Sequence, residues 1–280
     1  MSGYKYSVQT ITSKNPVKIY KQLIICPVKD YIKWDSFQVV NSFDKILQLI
    51  ERSHINALDL SNLEADEIDK ILDITTLSLE HLTLNNCKFN NESIEKCANL
   101  IIFEGNCLYN LVSLWNVNKN ASLENLTLNI CTNLKDIDGI KNSNISTFEI
   151  YNSSRPSKIK NYKVLQTLTR LENLTLLLDD IEDKTKLLEL LSTLTTLKNL
   201  SLPKNFFTFN QFAWLKSKLP NEKNISALYH IKKDIANERV YASIIGNDKP
   251  SMVYEDEESL ESYQDEFVRL VELYKNARKW

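Results

Sequence analysis

Among the polar residues of this 280-residue chain, five combine a side-chain type and a spacing that could support catalysis. Asp59, Ser61 and His81 are the types that serve as orienting acid, nucleophile and general base in hydrolases. Asp59, Glu104 and Glu149 are of the type that acts in pairs in glycosidases, where the two carboxyl groups lie at most about 9.5 Å apart. Both chemistries require residues that are distant in sequence to meet in space. The strands and helices that carry these side chains therefore determine whether either site can form.

The cysteines and histidines are the residues that could bind a metal ion, and the chain has five and three of them. Zinc ligands usually come in close pairs from a tight turn. The sequence has no C-x-x-C or H-x-x-x-H pair, and Cys87, Cys97 and Cys107 are each ten residues apart. We predict no metal site and no cofactor. Cys87 and Cys131 are expected instead to satisfy backbone groups at turns.

An L-x-x-L-x-L pattern recurs through most of the chain and determines where these side chains lie. It starts eight times at steps of 21 to 28 residues, at Ile55, Leu79, Leu100, Leu123, Ile145, Leu171, Leu197 and Ile225. Self-similarity at this period is typical of a solenoid with one short strand per turn. The second half of most repeats has helical spacing, which predicts short helices over 66–74, 91–98, 158–169, 184–193 and 210–219. The intervening segments 109–119 and 132–141 are predicted to be extended or single-turn.

The two ends of the chain do not repeat and are predicted to cap the solenoid. Residues 1–54 contain a predicted strand, Val17–Ile25, and a helix that follows Ser42. Residues 55–233 hold about eight repeats. Residues 234–280 contain a predicted strand, Arg239–Ile245, and an amphipathic helix that opens near Glu255. The apolar stripe of this helix either packs onto the last repeat or docks on a partner.

Alternate strand residues face opposite sides, so the residues of the predicted concave face follow from the pattern. Its central row is Asp59, Thr83, Glu104, Thr127, Glu149, Thr175, Ser201 and Tyr229. One flanking row is Ala57, His81, Ile102, Asn125, Thr147, Asn173, Asn199 and Ala227, and the other is Ser61, Asn85, Asn106, Asn129, Tyr151, Leu177, Pro203 and Ile231. These rows contain three acidic residues and no Lys or Arg. The face is therefore predicted to be polar and mildly acidic, which favours a neutral or basic protein segment over a nucleic acid.

The predicted spacing disfavours catalysis on this face. Neighbouring acids lie two strands apart, about 10 Å, at or beyond the limit for glycosidase carboxylates. His81 could approach Asp59 and Ser61 across adjacent strands, but no Gly turn that could build an oxyanion hole accompanies them. We predict that the protein is not an enzyme, and a hydrolase is kept as a third alternative.

Bulk composition restricts the partners further. The formal net charge is -2, which disfavours a general affinity for nucleic acid or anionic membrane. No apolar run approaches the ~20 residues needed to span a bilayer, and the first residues lack the apolar region of a secretory signal. A cytoplasmic protein, monomeric or in a one-to-one complex, is the expectation.

The repeats resemble those of leucine-rich repeat proteins. Residues 79–87 (LEHLTLNNC) followed by Cys97-Ala98-Asn99-Leu100, and Leu123–Leu128 with Cys131, are similar to the cysteine-containing subtype of that family. The resemblance implies a curved solenoid with a parallel concave sheet that binds proteins. The cysteine-containing subtype is common in substrate-recognition subunits of ubiquitin ligases. Compact microbial leucine-rich repeat proteins also act as toxin antidotes or effector-like binders.

The sequence therefore predicts an α/β leucine-rich repeat solenoid that binds one protein partner without catalysis, as an inhibitor or antidote. The predicted partner-binding residues are Asp59, Thr83, Glu104, Asn106, Thr127, Asn129, Glu149, Tyr151 and Thr175. The alternative is an adaptor that recruits a substrate to a larger complex such as a ubiquitin ligase.

Overall fold

The protein has an α/β fold built on a ten-stranded, mostly parallel sheet. The computed structural model describes residues 3–14, 17–27, 37–152, 159–178, 181, 183–219, 221–223, 225, 229–233, 240–248, 251–253 and 257–277. The strands of the large sheet are β1 (Tyr4–Lys14), β2 (Val17–Pro27), β3 (Gln38–Val40), β4 (Ala57–Ser61), β5 (His81–Asn85), β6 (Ile102–Asn106), β7 (Asn125–Asn129), β8 (Thr147–Asn152), β9 (Asn173–Leu178) and β10 (Asn199–Ser201).

Strands β4 to β10 pair in parallel and in chain order, with equivalent residues of successive strands in register. One column across these strands is entirely apolar and at most 2% exposed: Leu58, Leu82, Phe103, Leu126, Phe148, Leu174 and Leu200. This column belongs to the main hydrophobic core, so one face of the sheet is buried along its whole length. The alternation predicted from the leucine pattern is confirmed for these seven strands.

The third repeat has Gly105 where the other six of the first seven repeats have a third apolar anchor. A Cβ at Gly105 would lie 2.5 Å from Cδ1 of Leu108, so that side chain already fills the space. Phe103 and Trp115 pack edge to face beside it, with ring centroids 4.7 Å apart. The irregular repeat is therefore compensated by aromatic packing within the core.

Helices cover the buried face of the sheet. They are α1 (Phe43–Ser53), α2 (Ala65–Thr75), α3 (Asn91–Glu95), α4 (Lys184–Leu191), α5 (Phe209–Lys218) and α6 (Glu257–Tyr274), with 3-10 turns at Val117–Lys119, Asp138–Ile140 and Tyr162–Thr167. Buried residues of α1 to α5, such as Ile68 and Leu188, join the core formed by the strand leucines. Four of the five predicted helices are confirmed near their predicted bounds. The helix predicted over 158–169 is a 3-10 turn, and Lys158 itself lies outside the described residues.

The N-terminal segment extends the sheet. Strands β1 and β2 form an antiparallel hairpin, β2 pairs in parallel with β4, and β3 pairs with the start of β1. The predicted strand and the helix after Ser42 are confirmed as β2 and α1. Strand β1 was not predicted, although Tyr4, Tyr6 and Val8 alternate with polar residues as a strand requires.

The C-terminal segment differs from the prediction at the eighth repeat. Residues Tyr229–Lys233 (β11) pair antiparallel with β12 (Val240–Ile244), which pairs with β13 (Ser251–Val253) in a separate small sheet. Leu228, the second anchor of that repeat, lies outside the described residues. The eighth parallel strand was predicted wrongly. At the outer edge of β10, the buried Glu222 carboxylate accepts the Leu200 N–H at 3.0 Å in place of a further strand.

The C-terminal helix α6 packs on α5. Phe209 contacts the rings of Tyr263 and Phe267, and Phe267 is 4% exposed. The Lys218 ammonium donates to the carbonyl of Tyr274 at 2.8 Å, which satisfies a backbone group at the end of α6. None of the helices in the described part of the chain combines the length and apolar composition needed to cross a lipid bilayer.

Candidate functional site

The face of the sheet opposite the helices carries one column of polar residues. Strand register aligns Asp59, Thr83, Glu104, Thr127, Glu149, Thr175 and Ser201. We call these seven residues the central column and the sheet face that carries them the polar face. Because each member follows a buried anchor on its strand, its side chain lies on the opposite side from the core. Acidic and hydroxyl side chains alternate along the first six positions.

Glu149 is held by hydroxyl groups from both neighbouring strands. Thr127 Oγ1 donates to Glu149 Oε2 at 3.1 Å, and Thr175 Oγ1 donates to Glu149 Oε1 at 3.4 Å. Tyr151, two residues further along β8, is half-buried, and burial followed by the Glu149 charge raises its pKa above its ordinary value. The two hydroxyl groups thus fix the position of the Glu149 carboxylate, which remains half-exposed.

Glu104 has a different environment because a histidine lies beside it. His81 Nε2 is 3.6 Å from Glu104 Oε1, and Thr83 Oγ1 is 3.5 Å from Glu104 Oε2. The contact with His81 lowers the pKa of Glu104 below its ordinary value, more than burial raises it. Glu104 is therefore ionised at neutral pH.

Asp59 lies at the start of the column and takes its hydrogen bond from an amide. Asn85 Nδ2 donates to Asp59 Oδ1 at 2.7 Å, and Asn106 Nδ2 donates to Asn85 Oδ1 at 2.9 Å. Burial, and then the negative charge of Glu104, raise the pKa of Asp59 above its ordinary value. The two carboxylates therefore repel each other across β5.

The acids of the central column differ from other acids of the same repeats because no Lys or Arg among the described residues pairs with them. In the described part of the chain, neither Asp59 nor Glu149 forms an ion pair with Lys or Arg, and Glu104 has only His81. By contrast, acids on the loops and helices pair with lysines of the next repeat: Glu64 with Lys88 at 2.9 Å, Asp73 with Lys96 at 2.6 Å and Glu172 with Lys198 at 2.7 Å. The polar face thus holds negative charge that the described part of the fold leaves without a neighbouring cation.

The predicted partner-binding residues divide into two groups. Asp59, Glu104, Asn106, Thr127, Asn129, Glu149 and Tyr151 are partly exposed, as a contact surface requires. Thr83 and Thr175 are 7% and 8% exposed. Their hydroxyls are turned to the carboxylates, so they position the acids and offer little surface of their own. Tyr229, predicted as the eighth member of the row, belongs to the small sheet.

Sequence reasoning missed a small apolar cluster on the polar face. Tyr20, Ala57 and Ile102 are at most 5% exposed and pack together with Ile11, apart from the main core. The Tyr20 ring packs edge-on against His81, with centroids 5.5 Å apart. Tyr20 reaches this face because β2 pairs with β4, a pairing that local sequence pattern does not reveal. On strands β4, β5 and β6 this flanking row is therefore buried, at Ala57, His81 and Ile102. Its members on β7 to β10, which are Asn125, Thr147, Asn173 and Asn199, are partly exposed.

The three residues with the types of a hydrolase triad do not form one hydrogen-bonded chain among the described residues. Asp59 and Ser61 both accept from Asn85, whereas His81 contacts Glu104 and Thr83. The histidine is therefore directed toward the next strand and not toward the serine.

The cysteines have structural surroundings. Cys87 Sγ donates to the Leu60 carbonyl at 3.2 Å and accepts the Leu63 N–H at 3.5 Å, as expected for a turn residue. Burial raises the pKa of Cys87 to about 11 and the pKa of Cys131 to about 12, so both thiols are protonated at neutral pH. Among the described residues, no group of three His, Cys, Asp or Glu side chains could hold a metal ion.

In comparisons with known proteins, no family model and no curated protein matches the chain.

Proposed function

We propose that this protein is a leucine-rich repeat solenoid that binds one protein partner on its polar face, without catalysis, as an inhibitor or antidote. The observation that carries the proposal is the set of unneutralised carboxylates. Asp59 and Glu149 are partly buried, hydrogen-bonded by fixed amide and hydroxyl groups, and without a Lys or Arg partner in the described structure. A partner that supplies cations would counter the repulsion between Asp59 and Glu104 and offset the cost of desolvating the carboxylates.

The arrangement of the face supports a preorganised binding surface. Seven parallel strands at a spacing of about 4.8 Å extend over roughly 29 Å, enough for a protein interface. Hydroxyl and amide groups already hold the carboxylates, so little side-chain entropy is lost on binding. The three rows contain no Lys or Arg, which favours a neutral or basic protein surface and opposes a phosphate backbone.

The C-terminal helix takes a structural part in this proposal. Its apolar residues Phe267 and Leu270 are buried, and Phe267 packs on Phe209 of α5. We therefore do not assign to α6 the second docking surface that an adaptor would need. We also propose a reducing compartment, the cytoplasm, because none of the five cysteines, all of which lie in the described part of the chain, forms a disulfide bond.

The test is capture of a partner from the native host by the wild type and by two charge-matched double variants. Glu104→Lys/Glu149→Lys reverses two charges on the polar face. The control, Glu92→Lys/Glu189→Lys, reverses two exposed acids on α3 and α4, on the helical side. All three proteins are first compared by circular dichroism and thermal unfolding.

The proposal predicts a stoichiometric partner that the wild type and the control capture equally. Its affinity for the polar-face variant falls by at least about tenfold, since like charges are placed opposite its cations. A partner lost from the control and retained by the polar-face variant would move the interface to the helical side and refute the proposal.

A further inference from the structure

The two edges of the ten-stranded sheet differ in what covers them. At the β10 edge, the chain that follows α5 takes the place of a further strand. The Glu222 carboxylate accepts the Leu200 N–H at 3.0 Å, and the Lys223 N–H donates to the Lys198 carbonyl at 3.0 Å. At the opposite edge, β3 pairs with β1 only as far as Tyr6.

Residues 8–14 of β1 form what we call the open edge. None of the described strands pairs with the outer side of this stretch. Exposure rises where β3 ends: residues 4–7 are partly exposed, whereas four of the next five residues are exposed, namely Val8, Gln9, Thr10 and Thr12. The N–H and C=O groups along the outer side of a strand are matched by another β-strand.

The open edge lacks the features that usually protect an edge strand, which are charged side chains, proline and bulges. Residues 7–12 (SVQTIT) contain no charged residue and no proline. Strands β1 and β2 pair residue for residue from Tyr4 and Pro27 to Lys14 and Val17, so β1 has no bulge. Like charges that lie directly opposite each other destabilise a strand pair. An uncharged strand can therefore pair with a copy of itself.

The small apolar cluster on the polar face gives a second and independent indication. Its buried members, Tyr20, Ala57 and Ile102, are at most 5% exposed, and Ile11 packs against them while remaining partly exposed. Ile11 lies directly opposite Tyr20 in the hairpin. The cluster therefore reaches the outermost long strand and ends at Ile11. An apolar side chain on an added strand would bury the rest of Ile11.

The position of Ile11 favours a second copy of the chain as the source of that strand. Ile11 is the midpoint of residues 8–14, so a twofold axis at this residue pairs the whole open edge with its copy in antiparallel order. Ile11 then lies opposite Ile11 of the second copy, and Thr10 lies opposite Thr12. Pairs between aliphatic residues and between threonines stabilise strand pairing. The register ends before Tyr6, where β3 begins.

Going beyond the function proposed above, we propose that the protein forms a twofold-symmetric dimer through the open edge of β1, with Ile11 opposite Ile11 of the second copy. The pairing joins the two ten-stranded sheets into one. Because the axis is perpendicular to the sheet, both polar faces lie on the same side. A dimeric partner would then contact both faces, which raises its apparent affinity.

The first experiment is sedimentation equilibrium of the full chain from micromolar to near-millimolar concentration. Thr10→Glu/Thr12→Glu places glutamates of the two copies opposite each other at two positions. Within one copy, residue 10 lies opposite Lys21 of β2, so the hairpin itself gains an opposite charge. The charge-matched control, Ser122→Glu/Thr195→Glu, changes two exposed turn residues. Circular dichroism and thermal unfolding verify that all three proteins are folded.

The proposal predicts that the wild type and the control form dimers with the same dissociation constant. In Thr10→Glu/Thr12→Glu, the dissociation constant rises at least about tenfold because like charges face each other. A wild type that remains monomeric at the highest concentration, as the sequence allowed, would overturn the proposal. A dimer that is equally stable in all three proteins would also overturn it, because the interface would then lie elsewhere.

The second experiment tests the register by disulfide formation under a mild oxidant. Directly opposite residues of antiparallel strands have Cα atoms about 4.5 or 5.5 Å apart, within the range of a disulfide. Ile11→Cys is therefore expected to give a covalent dimer. Gln9→Cys is the control, because residue 9 of one copy lies about 13.6 Å from residue 9 of the other. The wild type accounts for the native cysteines.

The expected result on a non-reducing gel is a covalent dimer of Ile11→Cys and monomers of Gln9→Cys and the wild type. Equal crosslinking of the two variants, or crosslinking of Gln9→Cys alone, would refute pairing about Ile11. Both experiments use the protein alone, so they succeed or fail independently of the partner capture that tests the polar face.

Discussion

The two faces of strands β4 to β10 differ in what they contribute, although their residues alternate along the same backbone. On the helical side, the anchor residues Leu58 to Leu200 are at most 2% exposed and share one core. On the polar face, the acids of the central column are half-exposed and lack Lys or Arg partners in the described structure. A period of two thus places buried core residues and partly exposed polar residues on opposite faces of the same strands. We therefore expect substitutions of the exposed polar residues to cost less stability than substitutions of the buried anchors.

The largest expected effect comes from neighbouring residues on opposite faces of β7. Leu126→Ala empties a fully buried position and is expected to lower the free energy of unfolding by about 2–5 kcal/mol. Thr127 is half-exposed, and its hydroxyl donates to Glu149. Thr127→Ala removes that hydroxyl and is expected to change the free energy of unfolding by about 0.5 kcal/mol or less. Urea unfolding of both variants measures the difference. Equal losses would mean that the polar face is part of the folding core.

A smaller effect is expected at Glu222, an acid that serves the fold. Its side chain is fully buried, and its carboxylate accepts the N–H groups of Leu200 at 3.0 Å and Ile225 at 2.8 Å. Glu222→Gln replaces one acceptor by a donor that faces an N–H, so we expect a loss of about 1–3 kcal/mol. Glu149→Gln on the polar face is the matched control.

Chemical denaturation of the two glutamine variants decides this prediction. Glu149→Gln is expected to stay within about 0.5 kcal/mol of the wild type, because the carboxylate is half-exposed. If Glu149→Gln were as destabilising as Glu222→Gln, the prediction that Glu222 stabilises the fold more than Glu149 does would be wrong.

The smallest expected effect is a gain in stability, and it depends on pH. Burial and the charge of Glu104 raise the pKa of Asp59 above its ordinary value of 3.8. A carboxyl group with a raised folded-state pKa contributes stability below pH 3.8, and this contribution is lost as pH rises through the folded-state pKa. Asp59→Asn keeps an acceptor for Asn85 and should stabilise the protein at pH 7 by about 0.5 kcal/mol.

The same variant should lose its advantage in acid. Urea unfolding at pH 7 and near pH 3.8 compares the variant with the wild type, and the two curves are expected to converge at the lower pH. A less stable Asp59→Asn protein at pH 7 would show that the ionised carboxylate stabilises the fold.

Local pattern was sufficient to predict strands β4 to β10 and their parallel order in the sheet. The L-x-x-L-x-L anchors gave the strand register and the members of the central column, because side-chain direction in a strand follows from position alone. The short helices α2 and α5 followed from apolar spacing and turn residues. Sequence pattern also placed Cys87 at a turn, where its thiol bonds to the backbone.

The parts that were missed depend on contacts between distant segments. Nothing local pairs β2 with β4, so the placement of Tyr20 beside His81 was not predicted. The eighth repeat has two apolar anchors, Ile225 and Leu228, yet β11 pairs with β12 in the small sheet, and the Glu222 carboxylate accepts an N–H at the edge of β10. Strand β1 was the avoidable omission, since its alternation is visible in the sequence.

The most direct test of the central claim is carboxylate footprinting of the protein with and without its captured partner. Solvent-accessible acids are labelled with a carbodiimide and an amine and quantified by mass spectrometry. Binding on the polar face predicts that labelling of Asp59, Glu104 and Glu149 falls in the complex, while labelling of Glu92 and Glu189 on the helical side is unchanged. Protection of Glu92 and Glu189 with unchanged labelling of the central column would contradict it.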